Sequence, residues 1–177
     1  QKFQLTDHIN KKNYKFSTNL SGRHNLYNVA AAICVAIEEN ISIKNIAKGL
    51  HDFQGVGRRF ELSKINLADQ PHVLIDDYGH HPAEILSTIL ATKEKFPRKK
   101  ICMIFEPHRF SRTQQLFDDF VKVLSKVDFL LLLDIYPASE KPIKGISSQK
   151  LAFEIMKNHK NVHYLESQDP IDWLQNN

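Results

Sequence analysis

The rhythm of hydrophobic positions changes about a third of the way along the chain. Alternating apolar and polar residues predict short strands at 2–5 and 13–17. The dense run Ala30, Ala31, Ala32, Val35, Ala36 and Ile37 predicts a helix over 24–39. Ile46, Leu50 and Phe53 recur at helical spacing and predict a second helix over 43–53. Residues 54–57 contain two glycines and read as a hinge, so a domain boundary is placed near Val56. Beyond it, short apolar runs at 60–67, 73–75, 101–105, 129–135 and 162–165 alternate with helical stretches at 82–96, 111–127, 147–158 and 170–174. The helix over 82–96 shows Ile85, Leu86, Ile89 and Leu90 on one face. That over 111–127 shows Leu116, Phe117, Phe120, Val121 and Leu124, and that over 147–158 turns Leu151, Ile155 and Met156 inward. Ser111 with Gln114 fits a capping box. Strands spaced by helices of this length predict an α/β fold, a mostly parallel sheet with helices on both faces. The run Leu130–Leu133 suits a strand buried on both sides.

Composition narrows the class only a little. The chain has 177 residues, 42% hydrophobic and 25% charged, as in ordinary globular domains. Its net charge of +4 is mild. The longest basic cluster, Arg98 to Lys100, stands alone with no interleaved aromatics, which argues against a nucleic-acid partner. No run approaches the ~18 apolar residues of a membrane span, so no membrane partner is expected, and no leader opens the sequence. The first residues, QKFQLTD, read as the middle of a strand, which predicts an excised piece of a longer protein. Two cysteines, Cys34 and Cys102, lie in apolar segments and are expected to be buried free thiols in a reducing compartment.

Candidate chemistry collects where the strands end. The run 73–75 gives way to Asp76, Asp77, Tyr78, Gly79, His80 and His81, and Pro82 suits the first helical position. The next strand ends in Glu106, Pro107, His108, Arg109, Phe110, Ser111 and Arg112. The one after ends in Asp134, Ile135, Tyr136, Pro137 and Ala138. Parallel strands place all three ends on one rim, where ligands of open α/β sheets bind. Arg109 and Arg112 lie three apart at a helix entry, suited to hold a carboxylate or phosphate, with surface ion pairs as the alternative. Arg58 and Arg59 follow the hinge, either holding phosphate or solvated. Asn25 and Asn28 open the Ala-rich helix, as caps or facing a ligand. His80, His81, His108 and Asp77 are zinc-ligand types, but no HxxxH or CxxC spacing supports a metal site.

The pieces GRHNLYNVAAA, GVGRRFE, DDYGHHPAEI, FEPHRFSRT and DIYPASEKPIKG, in that order, resemble the Mur ligases, and the last three resemble their alanine-adding branch. That resemblance implies a Rossmann-like C-terminal domain over residues 56–177, incomplete at its C-terminus, preceded by the end of a central ATP-binding domain over residues 1–55. It implies a cytoplasmic ATP-dependent ligase of peptidoglycan precursor synthesis, using ATP with Mg2+, UDP-N-acetylmuramate and L-alanine, and passing through an acyl phosphate. No GKT loop is present, so the piece alone is expected to be inactive, with the magnesium ligands mainly elsewhere. Matched by motif, Asn25, Asn28, Arg59, Asp77 and Tyr78 are implied as nucleotide-binding. His80, Arg109 and Arg112 are implied as substrate-binding, and Arg59, Asp77 and His80 as catalytic. Asp76, His81 and His108 are left as orienting groups. The alternatives are a murein tripeptide-recycling ligase and a non-catalytic anion-binding module.

Overall fold

The computed structural model describes residues 1–8, 11–67 and 69–176. Strands β1 (Lys2–Asp7) and β2 (Lys12–Ser17) form an antiparallel pair, followed by helices α1 (Arg23–Glu38) and α2 (Ile43–Asp52). Phe16, Val29, Ile33 and Ile46 bury one small core between them. Gly22 opens α1 at φ 89, a conformation that suits glycine. A Cβ there would also meet the His24 ring and the Ala91 side chain. Ser42 caps α2 by accepting the Asn45 amide.

Strands β3 (Glu61–Leu67) and β4 (Gln70–Asp76) form an antiparallel hairpin. Only two residues separate Leu67 from Gln70, and so short a link makes the second strand run back along the first. This corrects the expectation of a buried β4 in the parallel sheet: Val73 and Leu74 remain 48% and 41% exposed. The parallel sheet contains β5 (Cys102–Phe105), β6 (Phe129–Leu132) and β7 (Val162–Tyr164), in that order. Leu130, Leu131 and Leu132 are fully buried in the middle strand, as their run predicts.

Helix α3 (Pro82–Lys95) joins the hairpin to β5, and α6 (Ser148–Met156), capped by Ser147, joins β6 to β7. The predicted helix over 111–127 is two pieces, α4 (Phe110–Gln115) and α5 (Phe117–Leu124), broken at Leu116 with φ −114 and ψ 24. The Ser111–Gln114 capping box does not form. Arg109 precedes α4 and Ser111 lies inside it. Helix α7 (Pro170–Asn176) ends the described chain. α3 packs on α5 and α5 on α6. Ile85, Ile89, Phe120, Leu124, Leu151 and Ile155 meet the sheet residues Leu130, Leu132 and Val162 in the larger core. Leu90 and Met156, expected inward, face outward, because each lies one position beyond the buried stripe of its helix.

Both cysteines are free thiols but neither is buried. Cys34 sits on the outer face of α1, and Cys102 faces an open slot between β4 and β5. The walls of that slot desolvate Cys102 enough to push its thiol above the ordinary value.

Candidate active site

The carboxyl ends of β4, β5 and β6 meet on one rim. The Tyr78 ring lies 5.4 Å from His80 and 6.4 Å from His108, and His80 lies 6.0 Å from His108. His108 in turn stacks on Tyr136, at 5.2 Å and 26°. A parallel bridge between His108 and Tyr136 extends the β5–β6 pairing past the strands, with Arg109 N–H donating to the Tyr136 carbonyl at 2.8 Å. The convergence expected from parallel topology therefore holds even though β4 belongs to a hairpin.

The turn after β4 is organised by carboxylates. Asp77 accepts the Phe60 amide at 2.9 Å and the Gly79 amide at 2.7 Å, one on each oxygen. Those bonds lock the hairpin base to the turn, so Asp77 carries a structural task. A Cβ on Gly79 would meet the Asp77 carboxylate at 2.7 Å, which accounts for glycine there. Glu84 Oε2 accepts the amides of His80 and His81 at 3.0 and 3.1 Å. The His81 ring accepts the Ala83 amide and completes a capping box. Burial pulls the Glu84 carboxyl upward, but the two amides and the nearby His80 and Arg59 outweigh it and hold it below the usual range. The His80 Nδ1 lies 3.0 Å from the Tyr78 carbonyl, a contact that needs a proton on Nδ1. In the neutral ring, Nε2 is then left as an acceptor.

The turn after β5 carries the arginines. Arg109 stands at φ 78 and ψ 133, a region that non-glycine residues avoid. That strain sits directly at the rim. Arg112 donates from Nη1 to the His108 carbonyl at 3.2 Å. Among the described residues neither guanidinium has an ion pair within 4 Å. Burial, followed by the charges of Arg112, His80 and Arg109, lowers the His108 pKa below the ordinary histidine value, so the ring is neutral near pH 7. Its Nδ1 is buried with no hydrogen-bond partner. Glu140, from the loop after β6, accepts the Ser111 hydroxyl at 2.7 Å and the Ser111 amide at 2.9 Å. The hydroxyl bond leads the causes that depress its pKa, with the amide and Arg109 adding to it.

Glu84 and Glu140 escaped sequence reasoning. Glu84 stands three residues after a helix-opening histidine, which was a legible capping signal. Glu140 reaches Ser111 from 29 residues away, and no local pattern shows that. Before β3, Arg58 pairs with Asp76 at 3.5 Å and places its guanidinium over Tyr78 at 5.0 Å. Arg59 lies close enough to Glu84 to affect its ionisation. Asn25 and Asn28 make their hydrogen bonds within α1 and the turn before it. Neither caps α1; Asn25 donates to the Ser21 carbonyl at 2.7 Å, and Asn28 to Asn25 at 3.4 Å. No hydrogen bond or ring contact among the described residues joins them to the rim.

Residues 58–172 match the family model described as "Mur ligase, glutamate ligase domain". A UDP-N-acetylmuramate–L-alanine ligase of Psychrobacter arcticus is 49% identical over 80% of this chain and 30% of its own length. One from Hydrogenovibrio crunogenus is 42% identical over 96% of this chain and 38% of its own. The chain thus spans about a third of the length of these relatives. Among solved structures, a UDP-N-acetylmuramate–alanine ligase of Thermotoga maritima superposes with a TM-score of 0.69 at 25% identity, over 87% of this chain and 32% of that one. A murein peptide ligase of Psychrobacter arcticus, 23% identical, shares the fold with a TM-score of 0.63 over 97% of this chain and 35% of that one. The chain belongs to the Mur ligase family.

Proposed function

We propose that this chain is part of an ATP-dependent ligase that joins L-alanine to UDP-N-acetylmuramate through an acyl phosphate, in the cytoplasmic synthesis of peptidoglycan precursor. The observation that carries the reading is the gathering of three strand ends into one rim, where Arg109 and Arg112 have no ion-pair partner among the described residues. The relatives named as alanine ligases support the substrate. Residues 1–55 then form the end of the central ATP-binding domain and residues 56–177 the acceptor domain.

In this reading Arg109 and Arg112 hold the alanine carboxylate, because a guanidinium fork matches a carboxylate in bidentate fashion. With the His80 Nδ1 held by the Tyr78 carbonyl, the other ring nitrogen is assigned to the amine side, where an acceptor orients the N–H bonds before attack. The attacking amine displaces phosphate from the acyl phosphate through a tetrahedral intermediate. Arg59 lies beside the same turn and neutralises phosphate charge. Asp77 and Tyr78 sit on the nucleotide side, with Asn25 and Asn28 brought to it only when the domains close. Among the described residues no group of three or more His, Cys, Asp or Glu side chains is placed to hold a metal ion. The Mg2+ that accompanies ATP is assigned mainly to the rest of the enzyme, and no step here is routed through it.

The test is made in the full-length enzyme. Arg109→Ala should raise the KM for alanine far more than the KM for ATP. Equal effects on both would remove its role. Offering murein tripeptide in place of alanine separates the recycling activity, and turnover of tripeptide alone would reverse the assignment of substrate.

A further inference from the structure

Helix α4 opens on a residue that cannot cap it. Arg109 occupies the N-cap position, and its cationic side chain has no acceptor to offer an amide. The cap is borrowed from another turn. Glu140, in the loop after β6, accepts the Ser111 hydroxyl on Oε1 at 2.7 Å and the Ser111 amide on Oε2 at 2.9 Å. Those two bonds hold its carboxyl below the usual range, with the Arg109 charge and the Phe110 amide adding to them. Both turns that this carboxylate joins are strained. Arg109 stands at φ 78, and Ala138 and Ser139 stand at φ 47 and φ 70. The second turn is closed by the Glu140 amide donating to the Pro137 carbonyl at 2.9 Å. Positive φ at both of its central positions is a pattern dominated by Gly, Asn and Asp. Such backbone persists only where the surroundings hold it. At Arg109 the holding groups are few. Its amide donates to the Tyr136 carbonyl at 2.8 Å, and its carbonyl accepts the amide and the hydroxyl of buried Thr113 at 3.1 and 2.9 Å. The tie from Glu140 to Ser111 is the remaining one, and it alone comes from a side chain across the rim.

We propose that Glu140 is a positioning residue: by capping α4 from across the rim it holds Arg109 at positive φ, so that the Arg109 and Arg112 guanidiniums are presented together to the carboxylate of the amino-acid substrate. This role rests on the reading of those two arginines as the alanine-carboxylate site. Glu140 touches no substrate in it. Its oxygens serve an amide and a hydroxyl, so they leave the guanidiniums free for the ligand. Without the cap, Arg109 relaxes toward ordinary backbone angles and its side chain leaves the rim. Arg112 stays, because its Nη1 donates to the His108 carbonyl at 3.2 Å. One cation then remains where two stood. The nucleotide side, assigned to Arg59 and Asp77 on other turns, is untouched by this change.

Steady-state kinetics of the full-length enzyme test this. Glu140→Ala should raise the KM for alanine about 10-fold, the factor that matches one lost cap. It should leave the KM for ATP within about twofold of wild type. Glu140→Gln keeps an acceptor oxygen for Ser111 and should recover most of the loss. Ser111→Ala should raise the KM for alanine by less, and should add nothing in the Glu140→Ala background, because both remove the same tie. A parallel rise in both KM values would show general loosening and overturn the positioning role. An unchanged KM for alanine in Glu140→Ala overturns it too, and a lowered one would show Glu140 competing with the substrate for Arg109. Should Glu140→Ala fail to fold, Ser111→Ala decides: a rise confined to the KM for alanine supports the role, and no rise ends it. Arg109→Ala, measured alongside, separates the two readings. If it raises the KM for alanine while Glu140→Ala does not, only the positioning role falls. If Arg109→Ala leaves that KM unchanged, the carboxylate site falls and the positioning role with it.

Discussion

Replacing Glu84 with glutamine should loosen the turn that presents His80 and His81. One carboxylate oxygen accepts both backbone amides, at 3.0 and 3.1 Å, and closes the capping box of α3. Losing a cap costs about 0.5–2 kcal/mol, and a hydrogen bond to a charged acceptor is worth about 1.5–3 kcal/mol. Solvent screens this carboxylate, whose side chain is 41% exposed, so the lower end applies. A glutamine keeps one acceptor oxygen but not the charge, and a loss of about 1 kcal/mol is expected. For a chain of this size that is a fall in Tm of about 2–4 °C. The pH dependence separates a charge effect from a packing effect. The folded-state pKa of Glu84 lies below its unfolded value of about 4.3. Its contribution is thus present above that value and disappears as pH falls through the folded pKa. Thermal melts of wild type and Glu84→Gln should differ at pH 7 and converge once the pH falls below the folded-state pKa of Glu84. Equal Tm values at pH 7, or a gap that persists in acid, would refute the capping argument.

Arg109→Gly should be more stable than Arg109→Ala by about 1 kcal/mol or more, because φ 78 with ψ 133 strains any residue bearing a Cβ; chemical denaturation of both variants decides it, and equal midpoints refute the strain. Phe120→Ala removes a fully buried ring from the centre of the larger core and should cost about 3–5 kcal/mol in the same assay. His108→Phe keeps a ring over Tyr136 and deletes a buried nitrogen without a partner, so it should leave Tm unchanged or raised, whereas a fall beyond about 3 °C would show that the nitrogen has a partner. Tyr164 donates to Asp134 at 2.6 Å, and that bond, with burial and the neighbouring acids, raises its pKa to about 12; absorbance titration should show one late phenol that vanishes in Tyr164→Phe.

Sequence periodicity revealed the elements of this fold more clearly than their pairing. The leucines of β6 and the stripe Phe120–Leu124 carry their own burial pattern and took their expected places, and α1 formed where its alanines favour helix, although Val29 and Ile33 rather than the alanine run face the core. Helix α4 was misread as continuous with α5 because the apolar spacing runs through Leu116, where the break depends on backbone angles rather than composition. β4 was misread because Val73, Leu74 and Ile75 form an apolar run whether its edge is filled or open. In the described chain that edge is open. The rim was legible as residue types at strand ends. Two of its acids were not, since Glu84 acts through backbone amides and Glu140 crosses 29 positions to reach Ser111, while Asp77 was read at the rim but not as the acceptor of two amides.

The charge balance of the rim follows from those same bonds. Asp77 gives both oxygens to the Phe60 and Gly79 amides, Glu84 serves His80 and His81, and Glu140 serves Ser111. Acids held by amides stabilise loops, but they are poorly placed to neutralise arginines as ion-pair partners. Arg58 alone of the four rim arginines finds a carboxylate within 4 Å, that of Asp76, among the described residues. Arg109 and Arg112 remain as cations beside a neutral His108 whose charging they oppose, and Arg59 remains as a cation near Glu84. An arrangement that uses its carboxylates on backbone and leaves three guanidiniums unmatched is electrostatically incomplete until an anion arrives. On the proposed reading, the alanine carboxylate on the Arg109 side and a phosphate on the Arg59 side complete it.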